Sequence, residues 1–153
     1  MTRAAPRHRP IEPTPAGAYP PRVAYEAIVD AIRSAVPTVQ AIYVFASHAR
    51  GDSGPESDLD VALLAPTRLD PLARWELQER LAGLEHCGLD LIDLLTASAV
   101  MRVAVLADAV LLFDGAPYER ALFEATALSD YARLQDERRA ILEQIEREGR
   151  VYG

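Results

Sequence analysis

The chain of 153 residues is short of several things that would point to common classes of protein: it has one cysteine, one tryptophan and three histidines. Cys87 cannot close an intramolecular disulfide, and with only His86 beside it the pair falls short of the three or four ligands of a zinc site. No apolar run approaches the roughly 20 residues needed to cross a bilayer, so a membrane-spanning chain is not expected. The start shows no basic-then-apolar signal pattern, and the expected compartment is the cytoplasm. Basic charge is also scarce. Sixteen Lys and Arg face 23 Asp and Glu for a formal net charge of -7, the opposite of a surface built to replace counterions on nucleic acid. Such a balance suits cation binding, or docking on a basic partner.

What is present is ordinary for a globular chain: half the residues are hydrophobic and a quarter are charged, at a length that suits one domain. Residues 1–21 stand apart. They hold Pro6, Pro10, Pro13, Pro15, Pro20 and Pro21 and a small basic cluster of Arg3, Arg7, His8 and Arg9, so a disordered, extended, basic tail is expected there. It is either a plain tail or an arm for an acidic partner or RNA. Residues 22–153 are expected to form the domain.

Within it, Val23, Ala27, Ile28, Ala31, Ile32 and Ala35 recur at helical spacing up to Pro37. Ala41 to Phe45 and Leu59 to Leu64 are short, β-rich apolar runs and predict two buried strands. Asp70 and Pro71 suit the N-cap and first turn of a helix that runs to about Gly88, with Leu72, Trp75, Leu77, Leu81 and Leu84 as its apolar side. A third strand is predicted over Leu89 to Leu95, a helix over Ala97 to Ala107, and a fourth strand over Val110 to Phe113. A long helix closes the chain from about Pro117 to Glu148, with Leu128, Tyr131, Leu134, Ile141, Leu142 and Ile145 on one stripe. The pattern describes an α+β (or α/β) domain of about four strands flanked by helices. Strand direction does not follow from it.

Chemistry concentrates in one stretch, ASHARGDSGPESDLD, from Ala46 to Asp60. Side chains alternate along a strand, so Asp58 and Asp60 share a face. Two carboxylates held together repel unless a cation lies between them. Hard oxygen ligands suit Mg2+, which binds through one or two carboxylates, water and substrate phosphates. The alternative is a strand that begins at the surface with both acids solvated. Upstream, a buried strand ending at Ala46-Ser47 presents Ser47 and free backbone amides at the start of a helical turn, a fit for phosphate. Gly51, Gly54 and Pro55 supply the return. A third acid would complete a two-metal arrangement for in-line displacement. Asp90 and Asp93 are the candidates. Their odd spacing puts them on opposite faces of a regular strand, so at most one joins the pair, and spacing does not choose between them.

Ser47, ten intervening residues and Asp58-Leu59-Asp60, followed by an acid on a later strand, resemble the motif of the DNA polymerase β-like nucleotidyltransferase superfamily. Ser47 to Gly51 and Ser57-Asp58 are similar to its minimal branch, and LDLIDL is similar to that branch's third-carboxylate strand, with Asp90 in the ligand position. VAVLADAVLLFDG and the ending SDYARLQDERRAILEQIEREGRVYG extend the resemblance to MntA-type antitoxins of HEPN/MNT toxin–antitoxin systems.

The resemblance implies the nucleotidyltransferase fold, a small mixed sheet with a long C-terminal helix. It implies a Mg2+-dependent protein adenylyltransferase that moves AMP from ATP to a tyrosine hydroxyl of a HepT-like HEPN RNase toxin, in a hetero-oligomer with that toxin. Asp58, Asp60 and Asp90 would hold two Mg2+ ions and act in catalysis, and Ala46, Ser47 and Arg50 would meet the nucleotide. Arg50 either pairs with phosphate or locks the loop against Asp52 or Glu56. The chain departs from the family at Ala46, where the family has Gly, used for close backbone approach or φ > 0. That departure keeps an alternative open, an antitoxin that neutralises by covering its toxin. A small-molecule nucleotidyltransferase is the other; the lack of a second domain for the acceptor counts against it.

Overall fold

The computed structural model describes residues 25–45, 59–85 and 88–152. Among them are four helices, α1 (Tyr25–Ala35), α2 (Pro71–Glu85), α3 (Ala99–Asp108) and α4 (Pro117–Tyr152), and four strands, β1 (Ala41–Phe45), β2 (Leu59–Leu64), β3 (Leu89–Asp93) and β4 (Val110–Asp114). The basic tail, His86 and Cys87 lie outside the described residues, as does the span from Ala46 to Asp58.

The strands form one sheet in the order β3-β2-β1-β4. β1 pairs antiparallel with both β2 and β4, while β2 and β3 run parallel. A parallel neighbour cannot be reached by a tight turn, and α2 makes the crossover. The two inner strands are covered on both sides, which is why AIYVF and LDVALL read as near-continuous apolar runs. One face carries Ile42, Val44, Val61, Leu63 and Leu91 against Ile28 and Ile32 of α1 and Leu77 and Leu81 of α2. The other carries Ala41, Tyr43, Ala62 and Leu64 against Val105 and Leu106 of α3 and Ala127 of α4.

Local chemistry sets the element ends. Asp70 caps α2, its Oδ2 accepting from the N–H groups of Leu72 and Ala73 at 3.1 and 3.2 Å. Ser98 caps α3 by accepting from Met101 N–H, so this helix starts at Ala99, two residues later than its apolar pattern predicts. β3 stops at Asp93 because the carboxylate accepts from Leu95 N–H and Asp93 C=O accepts from Thr96 N–H and hydroxyl, turning the chain.

Two apolar stripes are placed differently from the expectation. On α2 only Leu77 and Leu81 are buried; Leu72, Trp75 and Leu84 are exposed. Arg74 and Gln78 take the sheet-facing positions instead. Gln78 Oε1 accepts from Leu91 N–H at 2.9 Å and Arg74 donates to Leu91 C=O at 3.1 Å, capping the outer edge of β3. On α4 the stripe is buried only in its first half. Ala127 is buried, and Tyr131 and Leu134 are half-buried, but every residue from 136 to 149 is exposed. No helix among the described residues is long and apolar enough to cross a membrane.

Candidate functional site

Asp60 and Asp90 are direct partners across the parallel β2–β3 pair. Partnered residues on neighbouring strands point to the same face, here the α3 and α4 side, and strands lie about 4.8 Å apart. Leu59 N–H donates to Gly88 C=O at 2.9 Å, which keeps the two strand starts level and the acids side by side. Both acids sit near strand N-termini, where the sheet's edge opens: Asp60 is half-buried and Asp90 exposed. On its other side Asp60 pairs with Phe45, the last described residue before the span 46–58, and Leu59 is the first residue after it. The quoted loop therefore leaves from and returns to the carboxylate pair. Ala46, Ser47, Arg50 and Asp58 lie in that span, outside the described residues.

The odd spacing of Asp90 and Asp93 has the expected effect. Asp93 is on the opposite face, 2 % exposed, and its carboxylate accepts from Leu69 N–H at 2.8 Å and Leu95 N–H at 3.0 Å. It is a structural acid that secures the approach to α2 and the end of β3. Of the two candidates, Asp90 is the one that meets Asp60.

Two adjacent carboxylates without His or Cys form an oxygen donor set that fits a hard divalent cation in chemistry, as Mg2+ needs only one or two protein carboxylates. Among the described residues no group of three or more potential metal-ligating side chains comes together. The sequence's third acid, Asp58, adjoins the pair in the chain.

One polar cluster was not foreseen. Tyr43, on the same sheet face as Asp60 and fully buried, donates its hydroxyl to Glu124 Oε2 at 2.8 Å. Arg120 bridges Glu124 at 3.1 Å and Asp114 at 2.9 Å. Burial pushes the Tyr43 hydroxyl above its ordinary pKa, and the Glu124 charge adds to this. Hydrogen bonding to Asp114 holds Arg120 in its charged form. The cluster pins α4 to β1 and β4 beneath the site face. Its only sequence signal is the i,i+4 pair of Arg120 and Glu124. A second clamp, Arg102, donates to Leu94 and Leu95 carbonyls at 2.8 and 2.9 Å and stacks 5.2 Å over the Phe123 ring. Along the outer edge of β3 a cleft of about 370 Å³ is lined by Arg74, Ile92, Asp93, Thr96, Ser98 and Met101. Its one acid is the hydrogen-bonded Asp93, so it brings no free carboxylate.

A mixed sheet with helices on both faces and paired carboxylates at the starts of adjacent parallel strands is the architecture of a nucleotidyltransferase. The chain belongs to the polymerase β nucleotidyltransferase family, whose signature matches residues 26–117. It is 37% identical over 118 residues to the protein adenylyltransferase MntA of Shewanella oneidensis, covering 77% of this chain and 84% of that protein. It is also similar to a chain of a toxin–antitoxin crystal structure with AMP-PNP, at 36% identity and a TM-score of 0.74 over 80% of this chain and 98% of that one. A further match is to a complex of tri-AMPylated Shewanella oneidensis HEPN toxin with MNT antitoxin, at 35% identity and a TM-score of 0.67 over 79% of this chain and 94% of that one.

Proposed function

We propose that this chain is an antitoxin that transfers AMP from ATP to a tyrosine hydroxyl of a cognate HepT-like HEPN RNase toxin and thereby inactivates it. The observation that carries the reading is the Asp60–Asp90 pair, set at the open edge of a sheet in a chain 37% identical to a protein adenylyltransferase. The relatives supply the donor and partner classes: one similar structure holds AMP-PNP, another an AMPylated HEPN toxin.

In this reading the tyrosine oxygen forms a bond to the α-phosphorus of ATP as the bond to the bridging oxygen breaks, releasing pyrophosphate. Asp60 and Asp90, with Asp58, would hold Mg2+, two ions in all. When bound, the metal would supply neutralisation of the negative charge of the triphosphate. Asp60, half-buried between Phe45 and Asp90, is fixed in direction and orients the donor end. Asp90, exposed at the edge strand, faces the acceptor and takes the hydroxyl proton on a carboxylate oxygen. Ser47 and nearby amides seat the phosphates, Ala46 lies against them, and Arg50 either pairs with phosphate or locks the loop against Asp52 or Glu56. A net charge of -7 favours approach to the basic, RNA-binding surface expected of an RNase and disfavours direct binding of nucleic acid. The site works in the cytoplasm, in a hetero-oligomer with the toxin.

The test is incubation with labelled ATP, Mg2+ and the HEPN protein encoded beside this chain. Label should appear on the partner and vanish with Asp60→Ala. Neutralisation of the RNase without label would assign the protein to binding alone, the alternative that Ala46 favours. Ala46→Gly should raise the rate if the methyl crowds the phosphates.

A further inference from the structure

The second half of α4 is a long helical extension whose apolar side is covered by none of the described residues. On a helical wheel Phe123, Ala127, Tyr131, Leu134, Ile141, Leu142 and Ile145 lie within one arc of about 100°. The first four of these face the domain; past its edge Arg138 stands in the same arc, followed by Ile141, Leu142 and Ile145, which are 56%, 63% and 58% exposed. Three exposed aliphatic side chains on one side of a helix that has left its own domain offer a surface for a partner to bury.

The register of the sheet fixes where this extension goes. β4 runs from Val110, beside Val44, to Asp114, beside Ala41, away from the edge where Phe45, Asp60 and Asp90 lie. α4 starts at that far end, with Arg120 on Asp114, and comes back across the sheet, with Glu124 level with Tyr43. About two more turns bring it past Phe45. Residues 136–149 therefore extend roughly 20 Å beyond the sheet on the side where the carboxylate pair opens.

We infer that residues 136–145 are a docking arm, whose apolar edge of Ile141, Leu142 and Ile145 enters an apolar groove of the acceptor protein and holds that protein at the carboxylate edge. This rests on the transfer reading for the identity of the acceptor. Ile141, Leu142 and Ile145, at i, i+1 and i+4, form one apolar edge of the kind an amphipathic helix lays in a groove. A second copy of this chain fits less well. Three aliphatic side chains on each of two narrow arms bury far less than the about 800 Å² per partner of a stable interface. An acceptor that also contacts the transfer edge adds the missing area.

The experiment measures binding of the neighbouring-gene HEPN protein by calorimetry without ATP, and separately its KM and kcat as acceptor. With Ile141→Glu/Ile145→Glu, the Kd and the acceptor KM should rise about 30-fold or more. Thermal midpoint and kcat should change little, since both side chains lie outside the core. Ile141→Leu/Ile145→Leu should restore both constants. An unchanged Kd and KM in the doubly charged variant overturns the arm while leaving AMP transfer standing. Loss of binding by that variant, when the parent protein binds but never transfers AMP, upholds the arm and removes the transfer reading. A dimer of this chain alone that the charged variant dissolves overturns the acceptor as the occupant.

Discussion

Asp90 and Asp93 sit on one short strand, and their separation sends one to the open face and the other into the core. Asp90 is exposed and touches Asp60's register position, whereas Asp93 accepts two backbone N–H groups. Replacing each with Ala should therefore fail in opposite ways. Asp93→Ala leaves buried donors unsatisfied and should cost about 2–3 kcal/mol in chemical denaturation, with the folded fraction still transferring AMP. Asp90→Ala should change stability by less than about 0.5 kcal/mol, because an exposed acid at an edge strand contributes little. Its transfer rate should fall by roughly 10²–10³, the scale of one lost electrostatic contact in a transition state. Equal loss of rate in both variants would sink the assignment. From spacing alone the acid that shares a face with Asp60 was legible only down to a pair, because alternation says that the two differ in face without saying which face meets Asp58 and Asp60; the family resemblance pointed to Asp90. That choice is made by the register of β3 against β2, a long-range property.

The buried Tyr43 makes a prediction about pH. Burial and the Glu124 carboxylate raise its pKa above the value of about 10 it has in the unfolded chain. Below pH 10 the hydroxyl is protonated in both states and its contribution is complete. Above that, the unfolded chain releases this proton while the folded one keeps it, so stability falls with a slope approaching about 1.4 kcal/mol per pH unit. Denaturant midpoints measured from pH 9 to 11.5 should show this decline, and Tyr43→Phe should flatten it while lowering stability at neutral pH. A parallel decline in both proteins would show that other groups set it.

At the scale of elements, α2 shows how a helix can satisfy two demands with one face. Leu77 and Leu81 bury against the sheet, while Arg74 and Gln78 close the hydrogen bonds that β3 presents at its outer edge. Asp70→Ala should cost about 1 kcal/mol by removing the cap. Gln78→Ala should cost about the same by leaving Leu91 N–H without its partner. Their effects on transfer should differ. Leu91 follows Asp90 directly, so loss of Gln78 loosens the strand that carries the carboxylate proposed to act in transfer, whereas the cap is remote from it. At a temperature where both variants are folded, kcat should drop several-fold for Gln78→Ala and hold for Asp70→Ala. Matching kcat values would show that the edge bonds serve stability alone. The strands Ala41–Phe45 and Leu59–Leu64 stand where composition puts them, since both are inner strands with two covered faces. The inward side of α2 was less legible: Trp75 is apolar but exposed, because the sheet edge it neighbours requires polar partners in the inward positions.

For the molecule as a whole, pattern reading gives four strands and their flanking helices but no directions, since pairing depends on contacts far apart in sequence. Those directions matter for function, because they send α4 back toward the site instead of away from it. The stripe on α4 was legible as apolar, yet its cover was not: Ala127 and Ile141 look alike in a sequence, while one is buried and the other exposed. This division of one helix should appear in amide hydrogen exchange. Central β1 and β2 are enclosed on both faces and should open only with global unfolding. The segment 136–149 is exposed throughout among the described residues, and a free helix of that length is marginal in water. The i,i+3 ion pair of Asp136 and Arg139, at 3.1 Å and well exposed, adds only a few tenths of a kcal/mol. Protection in the isolated protein should therefore drop sharply after Gln135 and decline toward the C-terminus. Addition of the HEPN acceptor should raise it around Ile141 to Ile145 before ATP is present. Protection as high in 136–149 as in 120–131 without a partner would mean that the isolated chain already covers this stripe, for example by self-association.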